Sequence, residues 1–222
     1  MAEFFAKYAP LLAEGTLETL YMALATTLLA YAAGLPMGVL LTVTKKGGIA
    51  AAPRFNAAFG WVVNILRSIP FVILMFFLIP FTRAIVGTSI GATAALVSLS
   101  ISAAPFIARM VEQSLEEIDQ GVVEAAVCMG ATRWQVITRV LLVESVPSLL
   151  RGLSISLITI LGYTAITGTV GAGGLGNIAY RFGFQRYQKD VMYAILVILI
   201  ALVCIIQIIF DTAARRADKR NR

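Results

Sequence analysis

Three glycines in the last third of the chain have the spacing of a nucleotide-binding loop. Gly171, Gly173 and Gly176 form a G-x-G-x-x-G string, and Asp190 follows at about the 20-residue distance of the acidic residue in a dinucleotide fingerprint. Such a fingerprint needs a strand before it and a helix after it. Here an apolar stretch precedes the string, and no alternating strand and helix pattern surrounds it. We therefore interpret it as a flexible outer loop with tight backbone packing.

The residue types that carry most enzymatic chemistry are absent or scattered. The chain has no histidine, which excludes Ser-His-Asp and Cys-His catalysis and His-ligated zinc. Cys128 lies in a polar loop and Cys204 in an apolar stretch, which favours small packing residues over a disulfide framework or a metal knuckle. No G-x-x-x-x-G-K-[ST] loop is present. We expect no catalytic residue, no metal site and no cofactor bound by this chain.

The composition indicates an all-α integral membrane protein. Hydrophobic residues make up 59% of the 222 residues and charged residues only 14%, against about 25% in soluble domains. Five segments are long and apolar enough to cross a bilayer. They are Leu17–Val43, Ala57–Phe81, Ile90–Met110, Val146–Val170 and Val191–Phe210. The sequence thus predicts a short N-terminal segment (1–15), a transmembrane domain (16–211) and a basic cytoplasmic tail (212–222).

The distribution of basic residues predicts the orientation of the spans. If the N-terminus is outside, most Lys and Arg residues lie in the inner loops and tail, as the positive-inside rule requires. They include Lys45, Lys46, Arg54, Arg133, Arg139, Arg215, Arg216, Lys219, Arg220 and Arg222. These clusters have no interleaved aromatic residues, so we expect no nucleic acid partner. The N-out, C-in orientation places the polar loop 111–145 in the cytoplasm.

This loop contains the signals of two short helices. Asp119 can cap a helix that runs to about Met129, and Gly130 provides the break after it. Thr132 can cap a second helix that begins at Arg133. Periodicity alone leaves two interpretations open: a helix pair that only lies at the membrane surface, or one that also binds a partner.

The loop resembles the coupling loop of ATP-binding-cassette (ABC) importer permeases. That family has E-A-A, three residues, G, nine residues and I-x-L-P. This chain has Glu124-Ala125-Ala126, Gly130 and Val140-x-Leu142 at the same spacing, with Val143 in place of the proline. The resemblance implies a cytoplasmic ATPase partner that binds ATP and Mg. The residues implied to couple to it are Glu124, Ala125, Ala126, Met129, Gly130 and Ala131.

Further strings narrow the resemblance to methionine-importer permeases. They are Asn64–Phe71, Ile79–Arg83, Ala104–Arg109 and Val170–Gly176, and the similarity extends from about Gly15 to Asp211. It implies a type I importer permease in the bacterial cytoplasmic (inner) membrane that moves L- and D-methionine by ATP-driven alternating access. The implied partners are a second copy of the chain, two ATPase subunits and an extracytoplasmic methionine-binding protein or lipoprotein. The loop with Gly171, Gly173 and Gly176 is in a position to face that delivery protein.

Three residues within the spans are candidates for the translocation path. Arg67 lies in the second predicted span, where a charge is costly unless it is paired or hydrated. It borders the path or its inner gate, or else it is a structural arginine. Ser98 and Tyr163 fall near the middle of the third and fourth spans, and they either line a cavity or serve as helix contacts.

Two other functions fit parts of the pattern. The nearest is an ABC permease for another small amino acid or metabolite. The other is a membrane channel that works without nucleotide, which the coupling-loop spacing of Glu124 and Gly130 disfavours.

Overall fold

The chain consists of helices joined by short turns, and no strand occurs within residues 2–218, which the computed structural model describes. The longest helices are rich in apolar residues and include most of the residues of the predicted spans. The helices are α1 (Ala2–Thr44), α2 (Pro53–Ser68), α3 (Phe71–Phe77), α4 (Ile79–Val86), α5 (Ala92–Glu116), α6 (Gln120–Cys128), α7 (Arg133–Gln135), π1 (Val136–Leu141), α8 (Leu142–Glu144), α9 (Val146–Thr169), α10 (Gly174–Ile178), π2 (Ala179–Phe184) and α11 (Lys189–Ala217).

Among the described residues, four helices are long and apolar enough to cross a membrane: α1, α5, α9 and α11. The second predicted span, Ala57–Phe81, is wrong as one continuous helix, because α2 and α3 meet at a bend of 95°. Pro70 explains the bend, since the residue before a proline avoids the helical region. Ile69 accordingly has φ −74° and ψ 122°. The bent pair counts as a fifth span if its two helices are taken together.

Two of the spans extend beyond the apolar segments that predicted them. Helix α1 begins at Ala2, so the described part of segment 1–15 is continuous with the first span. Helix α11 runs to Ala217 and includes Arg215 and Arg216 of the basic tail. Lys219, Arg220 and Arg222 lie outside the described residues.

The chain divides into two compact units that cut across the long helices. Unit 1 contains Met1–Leu29, Pro70–Ser102 and Leu157–Gln207. Unit 2 contains Ala30–Ile69, Ala103–Ser156 and Ile208–Arg222. Each predicted span contributes residues to both units.

In unit 2, α1 and α5 approach closely because two glycines face the neighbouring helix. A Cβ atom on Gly34 would lie 2.7 Å from Ile107 Cγ2, and one on Gly38 would lie 2.6 Å from the Ala108 carbonyl oxygen. Small residues at four-residue spacing permit such backbone approach in membrane helices. Next to them, Leu41, Val63 and Ala108 form a buried cluster that includes α2.

Unit 1 is held by an apolar cluster around α3. Phe71 and Met75 of α3 are buried with Met22 of α1 and Leu99 of α5. The Phe71 ring stacks on Tyr163 of α9, with ring centroids 4.6 Å apart and planes inclined by 10°. These contacts fix α3, the second helix of the broken span, within this unit.

Candidate functional site

Helix α6 and the turn after it have the capped geometry that the sequence predicts. The Asp119 carboxylate accepts a hydrogen bond from the Gly121 N–H at 2.7 Å. Gly130 ends the segment with φ +83°, a left-handed conformation that favours glycine. Thr132 and Gln135 form a capping box at the start of α7: the Thr132 Oγ1 accepts from the Gln135 N–H, and the Gln135 side chain accepts from the Thr132 N–H.

The residues of the candidate coupling loop separate into an inward and an outward group. Ala126 is buried at 6% exposure, whereas Glu124 and Ala125 are exposed. The two alanines therefore do not act together: Ala125 faces outward, while Ala126 packs inward. Gly130 is also exposed, and Ala131 is half-buried.

Large apolar side chains on this loop are exposed. We define the docking patch as Val122, Val127, Met129 and Trp134, which are 47%, 51%, 82% and 72% exposed. A contiguous loop that exposes large apolar residues beside a charged one is typical of a protein interaction site. Sequence reasoning missed Trp134, although tryptophan is among the residue types enriched at the energetic centres of protein interfaces.

Polar contacts fasten the ends of the loop to the membrane helices of unit 2. Lys45, just after α1, pairs with Glu116 at the end of α5, with Nζ and Oε1 2.8 Å apart. The Ser148 hydroxyl of α9 donates to the Ser114 hydroxyl of α5 at 3.2 Å. Within the loop, the Ala131 N–H donates to the Ala126 carbonyl at 3.1 Å. The two side-chain contacts therefore join α5, which leads into α6, to the end of α1 and to the start of α9.

The exit of the loop is helical, with a single break. π1 and α8 continue α7 through Val143, the position where the resembling family has proline. The break comes instead at Ser145, ahead of Pro147 in the first turn of α9. Pro147 has no N–H to donate to the carbonyl four residues earlier, that of Val143. This proline explains the displaced break.

The glycine string packs against the first helix within unit 1. The Gly174 N–H donates to the Glu18 carboxylate at 2.6 Å, and the Leu175 N–H donates to Thr19 Oγ1 at 2.8 Å. A Cβ on Gly173 would lie 2.6 Å from Glu18 Oε2, and Gly173 also has φ +90°. Glycine is therefore required there by both conformation and space.

The other two glycines of the string also make close backbone contacts. The Gly171 carbonyl accepts from the Gly91 N–H at 3.0 Å. A Cβ on Gly176 would overlap the Ala165 carbonyl oxygen. Both glycines therefore pack closely against neighbouring backbone. The element that precedes the string is helix α9.

Arg67 does not lie in the middle of a continuous helix. It occupies the last turn of α2, directly before the bend at Pro70, and its side chain is exposed. Within the described residues it takes part in none of the three ion pairs. Its role at the translocation path stays a prediction.

Ser98 and Tyr163 both belong to unit 1 but have different surroundings. Ser98 is 4% exposed, donates to the Ala95 carbonyl at 3.2 Å and lines a cavity of about 220 Å³. Tyr163 is half-buried against Phe71 and does not line that cavity. Their assignment to the path also stays a prediction.

One family of known proteins matches most of the chain. The family described as binding-protein-dependent transport system inner membrane component matches residues 34–222. The chain belongs to this family. It is therefore a multi-pass membrane permease subunit, and the all-helical fold class is confirmed.

Individual permeases are similar over almost the whole length. The probable D-methionine transport system permease protein MetI of Vibrio cholerae is 49% identical over 220 residues, which cover 99% of this chain and 98% of that protein. The methionine import system permease protein MetP of Bacillus subtilis is 45% identical over 205 residues, 92% of each chain.

Solved structures agree with the family assignment. The structure described as inward facing conformations of the MetNI methionine ABC transporter contains a chain with 48% identity and a TM-score of 0.94, covering 96% of this chain and 98% of that one. An amino acid ABC transporter reaches a TM-score of 0.73 at 22% identity, over 96% of both chains, and shows the fold alone.

As a permease subunit, the chain carries no hydrolytic chemistry of its own. In the described part of the chain, no group of three or more Cys, Asp or Glu residues could hold a metal ion. Sequence reasoning missed two residues that contact the glycine string, Glu18 and Thr19, because their partners lie 156 positions away.

Proposed function

We propose that the chain is the membrane subunit of an ATP-driven importer that moves methionine, in its L and D forms, into the bacterial cytoplasm. It works as a dimer with two cytoplasmic ATPase subunits, which bind ATP and Mg, and receives substrate from an extracytoplasmic methionine-binding protein or lipoprotein. The full-length similarity to methionine permeases supports the substrate assignment.

The docking patch is the observation that carries the proposal. Met129 and Trp134 are exposed on either side of the turn at Gly130. The two helices that this turn joins, α6 and α7, each have a side-chain N-cap. Aromatic and methionine side chains are enriched at the centres of protein interfaces. The patch is on cytoplasmic residues in the N-out, C-in orientation, so it faces the compartment that contains ATP.

Movement of the ATPases is passed on through the contacts of unit 2. Arg109 of α5 donates through Nη2 to the Gly60 carbonyl of α2 at 2.9 Å and pairs through Nη1 with Glu112 at 2.6 Å. Together with the Lys45–Glu116 pair, this ties α5 to the inner parts of the first two spans. A displacement of α6 then tilts these helices as a group, which opens the path alternately to either side.

Reconstituted uptake tests the function directly. The permease is assembled with its ATPase and binding protein in proteoliposomes, and uptake of labelled methionine is compared with a panel of other amino acids. We expect accumulation of both methionine enantiomers that requires ATP and exceeds uptake of the other amino acids.

Two results would contradict the proposal at different levels. Preferential uptake of another solute would overturn the substrate assignment alone. Equal flux without ATP would overturn the importer itself and favour a channel.

A further inference from the structure

Unit 1 contains a cavity in which charges of both signs meet. It has a volume of about 350 Å³, at the lower end of the range of about 300–1,000 Å³ for small-molecule sites. Its lining includes Glu14 and Glu18 of α1, Arg181 of π2, and Gly171 and Gly173 of the glycine string. The cavity is thus built from the contact between the first helix and the loop before α11.

The opposite charges in this cavity do not neutralise each other. Within the described residues, no ion pair joins Arg181 to Glu14 or Glu18. Glu18 accepts from the Gly174 N–H through Oε2, while no hydrogen bond to its second carboxylate oxygen occurs in the described part of the chain. A ligand that carries both an ammonium and a carboxylate can therefore pair with both sets of charges at once.

A second, apolar cavity adjoins the charged one in the same unit. It has a volume of about 220 Å³ and includes Met75 and Phe76 in its lining. The two cavities share Gly91 and Ala172 as lining residues. Neither shared residue has a side chain larger than a methyl group, so the wall between the two cavities is thin.

The apolar cavity also contains an unused hydroxyl. Thr82 is 5% exposed, and its hydroxyl makes no hydrogen bond within the described residues. A cavity of mainly apolar surface with a few polar groups is the usual form of a small-molecule site. Thioether sulfur makes favourable contacts with aromatic rings such as that of Phe76.

We propose that the two cavities form one site for a zwitterionic amino acid with an apolar, unbranched side chain. Arg181 pairs with the carboxylate, Glu18 and Glu14 pair with the ammonium group, and the side chain extends past Gly91 into the apolar cavity. The inference rests on the proposed function, because it gives the imported amino acid a binding site on the permease itself.

Equilibrium binding without the delivery protein tests this site. The complete permease–ATPase complex is placed in lipid nanodiscs, and binding of labelled methionine is measured for the wild type, Arg181→Gln and Glu18→Gln. We expect saturable binding that weakens about tenfold or more in both variants, since each loses a charge-assisted contact. Arg186→Gln is the matched control, because Arg186 is exposed beside Phe182 and lines neither cavity.

Ligands that lack one charge separate recognition from a merely structural effect. Methioninol has no carboxylate, and 4-(methylthio)butanoate has no ammonium group. The Arg181→Gln variant should bind methionine no more tightly than it binds methioninol. The Glu18→Gln variant should bind methionine no more tightly than it binds 4-(methylthio)butanoate. The amide oxygen introduced by Glu18→Gln can still accept from the Gly174 N–H, and Glu14→Gln replaces this variant if the complex does not assemble.

The outcomes distinguish the site from the function. Absence of saturable binding, or equal weakening by Arg186→Gln, overturns the site. If the same complex still takes up methionine when ATP and binding protein are present, the proposed function holds although the proposed site is wrong. If no methionine is taken up, both the proposed function and the proposed site are wrong.

Discussion

At the scale of single residues, glycines decide how closely the helices approach. Gly38 of α1 faces α5, and a Cβ there would lie 2.6 Å from both the Ala108 carbonyl oxygen and the Val111 Cβ. The neighbouring backbone cannot give way as a flexible side chain would. The helix pair must separate to admit even one methyl group.

We therefore expect Gly38→Ala to destabilise the permease by about 1–3 kcal/mol, the usual cost of overpacking. Thermal unfolding in detergent measures the effect as a lower Tm. Gly162→Ala is the matched control, because a Cβ at Gly162 of α9 meets nothing within 4 Å. A Tm for Gly38→Ala equal to that of the control would contradict the close packing of α1 on α5.

Arg67 gives a second prediction at this scale. Its side chain is exposed and has no ion-pair partner in the described chain, so Arg67→Ala should leave the Tm nearly unchanged. If Arg67 borders the path, methionine uptake by the variant falls severalfold. Arg54→Ala, an equally exposed arginine at the start of α2, serves as the control. Normal uptake with a lowered Tm would assign Arg67 a structural role instead.

The sequence predicts the role of a residue whose partner is close in the chain. It does not predict the role of a residue whose partner is far away in the chain. Asp119 caps α6 through Gly121, two positions away, and the sequence alone indicates the cap. Glu18 caps the Gly174 backbone across 156 positions, so its role depends on tertiary packing. Read from sequence, Glu18 is only a charge beside a span.

At the scale of elements, α6 and its turn form the proposed contact with the ATPase. Met129 is the most exposed member of the docking patch at 82%. Met129→Asp places a charge where we expect an apolar pocket, and loss of an interface anchor typically costs about 2 kcal/mol or more, roughly thirtyfold in affinity. We expect the ATPase to dissociate from this variant during purification, and ATP-driven uptake to fall in parallel.

The control for this variant is Gln113→Asp, an exposed position on α5 outside the patch. It should retain the ATPase and transport at the wild-type rate. Retention of the ATPase by Met129→Asp, measured as subunit stoichiometry on gel filtration, would show that the partner binds elsewhere.

Element boundaries show why hydropathy was an incomplete guide. Apolar content predicted one span over Ala57–Phe81, yet Pro70 divides it into α2 and α3. Hydropathy averages over a window and has no term for the missing N–H of proline or for the restriction on Ile69. Likewise, the absence of proline at Val143 moved the helix break to Ser145, because Pro147 follows it.

At the scale of the whole molecule, the passage of the chain between its two units bears on topology. The chain changes unit after Leu29, Ile69, Ser102, Ser156 and Gln207. Each change falls within one of the five predicted spans. The N-terminal part of α1 and the end of α11 therefore belong to different units.

The native cysteines allow the orientation to be tested. Cys128 is exposed on α6 in unit 2, whereas Cys204 lies within the apolar α11. With Cys204→Ser and no ATPase present to cover the loop, a membrane-impermeant maleimide should label Cys128 only in inside-out vesicles. In a chain with Cys128→Ser and Cys204→Ser, Gln185→Cys of unit 1 should react only in right-side-out vesicles.

The two labelling patterns must be opposite for the orientation to hold. The larger share of Lys and Arg lies on the side of Cys128, and the positive-inside rule places that side in the cytoplasm. Labelling of Cys128 in right-side-out vesicles would reverse the orientation and remove the docking patch from the compartment that contains ATP. Labelling of both positions from the same side would require an even number of crossings between them, and α9 would no longer be a span.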